Sequence, residues 1–171
     1  MIRNNIKSKK GFTIIEVVLV LAIAGLIFLM VFIAFPALQR GQKDTQRRDD
    51  MARFASQLAQ YQANNYGKVP TDVKSWNDFI ANYLRSNGDT FADPSGNDYS
   101  VVEANECEVD GSKTDGAVCK QKSVNTDTAD AFIHVYTNAT CSGETPQYKK
   151  GAKYIAFTYK LESAGIYCGH N

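Results

Sequence analysis

Glu16 is the residue whose surroundings most need a chemical explanation. It is the only strongly polar side chain between Phe12 and Leu38, where Thr13 is mildly polar and the other residues are apolar or glycine. If this apolar run lies in a bilayer, insertion of the Glu16 carboxylate costs about 2.5–3.5 kcal/mol on insertion scales. A Glu that is retained inside a membrane at this cost is taken as a candidate functional residue. A buried carboxylate is expensive when unpaired and less so beside a cation. The residue types therefore favour ion pairing as the chemistry of this site.

The residues around Glu16 have the composition of a membrane anchor. Residues 12–38 would form a helix about 40 Å long, which exceeds the roughly 30 Å hydrocarbon core of a bilayer. Four basic residues and no acidic residue precede this run: Arg3, Lys7, Lys9 and Lys10. The positive-inside rule keeps the N-terminus cytoplasmic and places everything after Leu38 outside.

Two alternative interpretations of this segment are a cleaved secretory signal and an uncleaved signal anchor. A cleaved secretory signal would have an apolar core of about 7–15 residues followed by a small-residue cleavage site. The apolar run here is longer, and residues 35–39 are a poor cleavage site. An uncleaved signal anchor would explain the basic flank and the apolar length, but it would not explain Glu16.

Residues 10–16, which read Lys-Gly-Phe-Thr-Ile-Ile-Glu, closely resemble the N-terminus of type IV pilins. That family has a short basic leader, then Lys/Arg-Gly-Phe-Thr-x-x-Glu, then a long apolar helix. The resemblance implies that a prepilin peptidase cuts between Gly11 and Phe12, removes the leader 1–11 and methylates the new amine to N-methylphenylalanine. The short leader and the Phe are more like the type IVa branch than IVb. The specific match covers about the first 40 residues.

The resemblance also implies an assembly role for four residues. Cleavage would create a cationic amine on Phe12, and the family's Glu is thought to meet the terminal amine of a neighbouring subunit. Glu16 would then set helix register in the filament, which is the best-attested use of a buried ionic group. Gly25 and Pro36 correspond to a glycine and proline of the family's helix, although Pro36 stands later than usual. We expect a bend near residues 32–36, and a melted stretch between the two stays open.

The apolar pattern predicts an α+β fold with a single long N-terminal helix from Thr13 to about Asn65. Its membrane-spanning and polymerisation half is 12–38. Its amphipathic half is 39–66, where apolar residues recur at three- and four-residue spacing, and Gly67 supports a helix stop. A connector with a short second helix, capped by Ser75, follows at 67–98. An antiparallel sheet at 99–171 packs on the helix, with strands predicted at 99–104, 131–137, 153–161 and 165–168.

The chain has four cysteines, all on the predicted outer side. An oxidising compartment favours disulfides, and four cysteines allow three pairings. We favour Cys107–Cys119, which closes a short loop, and Cys141–Cys168, which ties the last strand back over a hairpin. Zinc is disfavoured because no C-x-x-C motif is present.

A mixed-charge stretch at residues 40–53 allows two interpretations. Its side chains could form intersubunit salt bridges along a filament. They could equally form an ordinary solvated helix with pairs of its own, such as Asp44–Arg48 and Asp49–Arg53. The sequence does not decide between these.

Two polar loops are weaker candidates for ligand sites. Asp110, Ser112 and Thr114 alternate as in a calcium loop, but the stretch lacks the sixth-position glycine and the closing Glu of an EF-hand, which favours a plain surface loop. Lysines cluster near a turn and could contact DNA phosphates, although lysines that keep a sheet edge soluble are favoured. These are Lys149, Lys150 and Lys153.

Charge and motif content exclude several classes of function. The chain is formally +1, but the leader holds four of its 19 basic residues and none of its 18 acidic ones, so residues 12–171 carry −3. This is not the bulk charge of a nucleic-acid binder. No nucleophile–base–orienter pattern and no phosphate loop stands out. We therefore expect neither an enzyme nor a cofactor.

The expected function is that of a structural subunit of a type IV pilus, or fimbrium. It would sit in the cytoplasmic membrane first and in the extracellular pilus afterwards. The expected partners are other copies in a helical homopolymer, prepilin peptidase, the membrane assembly platform and minor pilins, with DNA and host surfaces as further candidates. A minor or competence pilin and a type II secretion pseudopilin are alternatives, and so is an anchored surface binding domain that never polymerises. Cell adhesion, twitching motility and DNA uptake are not separated by sequence.

Overall fold

The computed structural model describes residues 11–120, 131–163 and 165–171, which divide into two units, 1–39 and 40–171. A first helix, α1, spans Ile14–Asn64 and continues through Pro36. The helix predicted over Thr13 to about Asn65 is confirmed to within one residue at each end. The bend near residues 32–36 stays a prediction.

The first unit consists, in its described part, of the apolar start of α1. Among the described residues one helix is long and apolar enough to cross a membrane, and no residue of its most apolar stretch is buried. Its large apolar side chains are about half to nine-tenths exposed on all sides of the helix. A helix that is apolar all round has to be covered by lipid or by other helices.

The second unit has an aromatic core centred on α1. Met51, Phe54 and Leu58 are fully buried, as the three- and four-residue spacing predicted. Phe54 lies within about 6.5 Å of four other rings, with centroid distances of 4.8–6.4 Å. Aromatic pairs at these separations stabilise a core beyond their buried area. The rings are those of Trp76, Phe79, Phe91 and Phe157.

The second helix, α2, spans Val73–Phe79 and begins earlier than predicted. Its N-cap is Asp72, whose carboxylate accepts the Ser75 N–H at 2.9 Å. Ser75 therefore occupies the third helical position of a capping box, and its assignment as the cap is wrong. Asp is an equally good N-cap residue, and the earlier start lets both Trp76 and Phe79 reach the core. A π-helical turn, Ile80–Leu84, and a 3₁₀ turn, Ser86–Gly88, follow.

Six strands complete the second unit. They are β1 (Ser100–Glu106), β2 (Phe132–Thr137), β3 (Ala139–Ser142), β4 (Thr145–Tyr148), β5 (Ile155–Lys160) and β6 (Ile166–His170). The main sheet has the order β1-β2-β5-β6, and β3 and β4 form a separate hairpin. This hairpin was not predicted, because each of its strands has only four residues and β4 contains Pro146, which usually argues against a strand interior.

The fully antiparallel arrangement predicted for the main sheet is wrong at one pair. β2–β5 and β5–β6 are antiparallel, whereas β1 and β2 are parallel. A parallel pair needs a connection of a dozen or more residues, and the chain between Glu106 and Phe132 is long enough for one. The sheet is therefore mixed, within the predicted α+β class.

The disulfides are the two that the sequence favoured, Cys107–Cys119 and Cys141–Cys168. The second joins β3 to β6, and so ties the small hairpin to the edge of the main sheet. Both half-cystines of the first are fully buried in a second apolar cluster with Tyr136, Ala139, Tyr148 and Ala156. Two covalent links thus hold the part of the molecule that is farthest in sequence from α1.

Candidate functional site

Glu16 closes a capping box at the start of α1. Its Oε2 atom accepts hydrogen bonds from the Thr13 N–H and the Thr13 hydroxyl, both at 2.9 Å. The Glu16 N–H in turn donates to Thr13 Oγ1 at 3.4 Å. This reciprocal pattern is the Thr-x-x-Glu capping box. The signal for it in the sequence is Thr13-Ile14-Ile15-Glu16, in which a Thr stands three residues before a Glu at the start of an apolar run.

The capping box satisfies only one oxygen of the Glu16 carboxylate. Oε1 accepts no hydrogen bond from any residue that the structure describes. The side chain is exposed on a helix whose neighbouring side chains are apolar. The positive end of the helix dipole favours a carboxylate at this terminus, but it does not replace a donor in a bilayer. The geometry therefore leaves one oxygen available to a cation from outside the described chain.

The predicted cleavage residues lie just outside α1. Gly11 and Phe12 precede the helix, and Phe12 is 90% exposed. The leader residues 1–10, with their four basic side chains, lie outside the described residues. Gly25 and Pro36 lie within α1 on exposed turns, and a Cβ atom added to Gly25 would meet no atom within 4 Å. Their roles in assembly stay predictions.

A buried ionic cluster at the start of the second unit is a site that the sequence analysis missed. We call it the Arg47 cluster; it consists of Asp44, Arg47, Asp93 and Glu162. The Arg47 guanidinium forms two hydrogen bonds with the Asp93 carboxylate, of 2.5 and 3.0 Å. Its Nη1 atom lies 2.9 Å from Asp44 Oδ1 and 3.1 Å from Glu162 Oε2. One cation thus holds α1 against two turns of the same unit.

Further hydrogen bonds lock both buried carboxylates in their charged form. Asp44 accepts the backbone N–H groups of Glu162 and Ser163, at 2.9 and 2.8 Å, and the Ser163 hydroxyl. Burial opposes ionisation of Asp44, but the bonds from Ser163, Glu162 and Arg47 outweigh it and lower its pKa to about 2. Burial likewise opposes ionisation of Asp93, yet Arg47 and the Tyr159 hydroxyl lower its pKa well below the ordinary value.

The Arg47 cluster corrects the interpretation of residues 40–53. Asp44 pairs with Arg47 and not with Arg48, and Arg53 pairs with Asp89 at 2.9 Å and not with Asp49. Asp44 and Arg47 are each 4% exposed, so they are neither solvated nor available to another subunit. The spacing of positions 44, 47, 51, 54 and 58 shows that they extend the buried stripe of α1. That continuation of the three- and four-residue pattern into charged residues was the available signal.

The weaker candidates lie on the surface of the second unit. Asp110 forms an ion pair with Lys120 at 2.8 Å, Ser112 and Thr114 are exposed, and no described group of three or more His, Cys, Asp or Glu side chains could hold a metal. Lys149 and Lys153 lie beside the Tyr154 ring, and their contact with DNA stays a prediction.

Comparison with protein-family models matches residues 6–32 to the prokaryotic N-terminal methylation motif. The chain carries the type IV pilin and prepilin signature. The matched residues include Gly11, Phe12 and Glu16, and they end inside the apolar half of α1. Searches of the curated proteins and of the solved structures returned no match.

The methylation motif, the apolar helix and the two disulfides agree with one another. Together they support a type IV pilin-like or pseudopilin precursor. The motif is that of a structural family and not of an enzyme family. It is consistent with a precursor that is anchored in the membrane before it enters a pilus.

Proposed function

We propose that this chain is the structural subunit of a type IV pilus, cut after Gly11 and polymerised through the N-terminal part of α1. The observation that carries the proposal is the half-satisfied carboxylate of Glu16 within the methylation motif. Its Oε2 atom is bound by Thr13, whereas Oε1 has no donor among the described residues. In hydrocarbon an unpaired charge is costly, so the geometry favours a partner that arrives on assembly.

Cleavage would supply that partner. Removal of residues 1–11 takes away four basic side chains and leaves a cationic amine on Phe12. The amine of one subunit would pair with Glu16 Oε1 of its neighbour, while Thr13 keeps hold of Oε2. A carboxylate with both oxygens engaged is fixed in direction, so the pair would set the register between adjacent helices.

The remainder of the apolar helix would form the core of the filament. Its side chains are about half exposed or more in the single chain, and lipid would cover them before assembly. In a filament the same surface would pack on helices of neighbouring copies. The partners that follow are other copies of this chain, prepilin peptidase, the membrane assembly platform and minor pilins, with the N-terminus cytoplasmic in the precursor. DNA and host surfaces are candidate partners of the assembled fibre.

Two substitutions of Glu16 test this proposal. Glu16→Gln keeps an oxygen for the Thr13 capping box but removes the charge, whereas Glu16→Val removes both. We expect both variants to enter the membrane and neither to form filaments at the normal level, by electron microscopy of sheared cells. Normal filaments from Glu16→Gln would show that only capping matters and would overturn the pairing.

A deletion strain separates the main subunit from an accessory one. We expect fibres to disappear when the gene is removed. Fibres that survive its removal would assign the chain to the minor pilins or pseudopilins, which carry the same N-terminal motif.

A further inference from the structure

Tyr66 is an outlier in two independent respects. It is 98% exposed, whereas every other aromatic side chain described in residues 40–171 is at least partly buried. Its φ is +56°, a left-handed conformation that glycine usually occupies after the last turn of a helix. Gly67 N–H donates to Gln62 C=O at 2.8 Å and closes this turn. An exposed aromatic ring held in a strained backbone is the kind of outlier from which a function is inferred.

Gly67, the residue after Tyr66, lines a pocket of about 320 Å³. The two amide side chains in its lining are held in place, because Asn171 Nδ2 donates to Gln62 Oε1 at 2.8 Å and to Lys153 C=O at 2.7 Å, and Asn171 Oδ1 accepts the Ile155 N–H at 2.8 Å. Gln62 Nε2 donates to the same carbonyl at 3.0 Å. The pocket therefore exists before any ligand binds. Its lining consists of Gln62, Ala63, Gly67, Lys153, Tyr154 and Asn171.

Two ammonium groups lie beside the ring of Tyr154, which lines this pocket. The Nζ atoms of Lys149 and Lys153 lie 4.8 and 5.1 Å from the centre of the Tyr154 ring. Neither forms an ion pair with a described carboxylate. Lys113 provides the contrast, because it lies 6.0 Å from the Tyr148 ring and 2.8 Å from the Glu106 carboxylate. The Asp115 carboxylate at the same turn accepts the Lys150 backbone N–H at 2.9 Å and forms no ion pair with either ammonium group, so the two like charges beside one ring remain available to an anion.

The turn that carries these lysines is shaped to fit the Tyr154 ring. Gly151 has a φ of +134°, and a Cβ atom at this position would lie 3.1 Å from that ring. The Tyr154 N–H donates to Gly151 C=O at 2.9 Å. A side chain at position 151 would therefore strain the backbone and displace the ring, so glycine here preserves the pocket wall.

We propose that Tyr66, the pocket and the lysine pair bind an acidic sugar, a ring that bears a carboxylate. The apolar face of the sugar would pack on the exposed Tyr66 ring, its hydroxyl groups would meet the Gln62 amide, which keeps one free N–H and one free lone pair, and its carboxylate would lie between Lys149 and Lys153. The pocket is open to solvent, so a sugar bound there would stay partly exposed. This inference goes beyond the filament role and does not depend on assembly.

Other classes of ligand fit these observations less well. A protein partner would need a larger surface with an apolar centre, where lysine is depleted, and Tyr66 is the only large exposed aromatic group described on this unit. A nucleic acid is usually held by about six to ten phosphate contacts, whereas this turn offers three lysines and no arginine. A carboxylate-bearing sugar needs only the two cations that converge here.

Titration of the full chain in detergent micelles tests the proposal without requiring filaments. The probe is a short oligosaccharide in which glucuronate alternates with N-acetylglucosamine. Isothermal titration calorimetry measures its affinity for the chain. We expect it to bind, and a neutral N-acetylglucosamine oligomer of the same length to bind at least about tenfold more weakly. Equal binding of the two sugars, or no binding of either, would overturn the proposal, as would tighter binding of a single-stranded oligonucleotide at the same salt concentration.

Two variants locate the site, and a third controls for charge. Tyr66→Gly should weaken binding at least about tenfold and yet raise the melting temperature, because glycine adopts the left-handed turn without strain. Lys149→Gln with Lys153→Gln should weaken binding equally. The charge-matched control, Lys113→Gln with Lys120→Gln, should leave binding unchanged. Unchanged affinity in either of the first two variants contradicts the assignment.

Discussion

Replacing Arg47 with methionine is expected to destabilise residues 40–171 by about 3–5 kcal/mol, the usual cost of removing one partner of a buried ion pair. The side chains of Asp44 and Asp93 are each about 5% exposed, so neither carboxylate can recover its solvation in water when the cation is lost. Glu162 is 30% exposed and adds little, as surface pairs do. Asp44 keeps its bonds from Ser163, which moderates the loss.

The single tryptophan of the chain provides the assay. Trp76 is fully buried and lies 5.9–6.0 Å from two core phenylalanine rings, so its fluorescence reports unfolding of the core of residues 40–171. Urea titration of the full chain in detergent measures the midpoint. With a slope of about 1–3 kcal/mol per M, the expected loss moves the midpoint down by roughly 1–5 M.

A neighbouring arginine provides the matched control. Arg48 is exposed on the same helical turn, and Arg48→Met should change stability by no more than about 0.5 kcal/mol. Combining Arg47→Met with Asp93→Asn should restore part of the loss, because it removes one of the uncompensated charges. The reasoning is refuted if Arg47→Met lowers the midpoint no further than Arg48→Met does.

Three further predictions concern processing, acid stability and the second disulfide. Gly11→Leu should block cleavage and leave full-length precursor in the membrane fraction, visible by intact mass; normal processing would contradict the assigned cut. The pKa of Asp44 is about 2 in the folded chain and about 3.9 when the chain is unfolded, so the charged carboxylate stabilises the fold above this pH range. Stability should therefore fall as the pH is lowered from about 4 to 2, and it should fall less steeply in Asp44→Asn. Cys141→Ser with Cys168→Ser opens a link that spans 27 residues and should cost about 3–4 kcal/mol; an unchanged thermal melt would show that the hairpin holds without it.

The elements most readily predicted were those set by local pattern. The stripe through Met51, Phe54 and Leu58 predicted the buried face of α1, and the apolar run predicted a helix that is long and apolar enough to cross a membrane. The disulfides followed from the short spacing of Cys107 and Cys119 and the position of Cys168 on the last strand. Each of these inferences depends on residues that are near one another in the chain or on a single repeating period.

The elements that were missed depend on contacts between distant segments. The parallel pairing of β1 with β2 is a contact between segments that are distant in the chain, and the apolar pattern of either strand alone does not show its direction. Arg47 was predicted to lie on a solvated face because arginine side chains are usually exposed. Its burial is favourable because the turns at Asp93 and Glu162 bring carboxylates to it. The capping box of Thr13 and Glu16 is a local pattern that the sequence shows directly. Glu16 was interpreted only as a charge in an apolar segment, and its second role as a helix cap was not predicted.

The mass of the N-terminal peptide from purified filaments tests the central claim most directly. The account predicts a peptide that begins at Phe12 and carries one added methyl group on its amine, since only cleavage after Gly11 creates the cation that Glu16 would bind. Filaments whose subunits still contain residues 1–11 would contradict it, because no new amine would then exist to pair with the carboxylate.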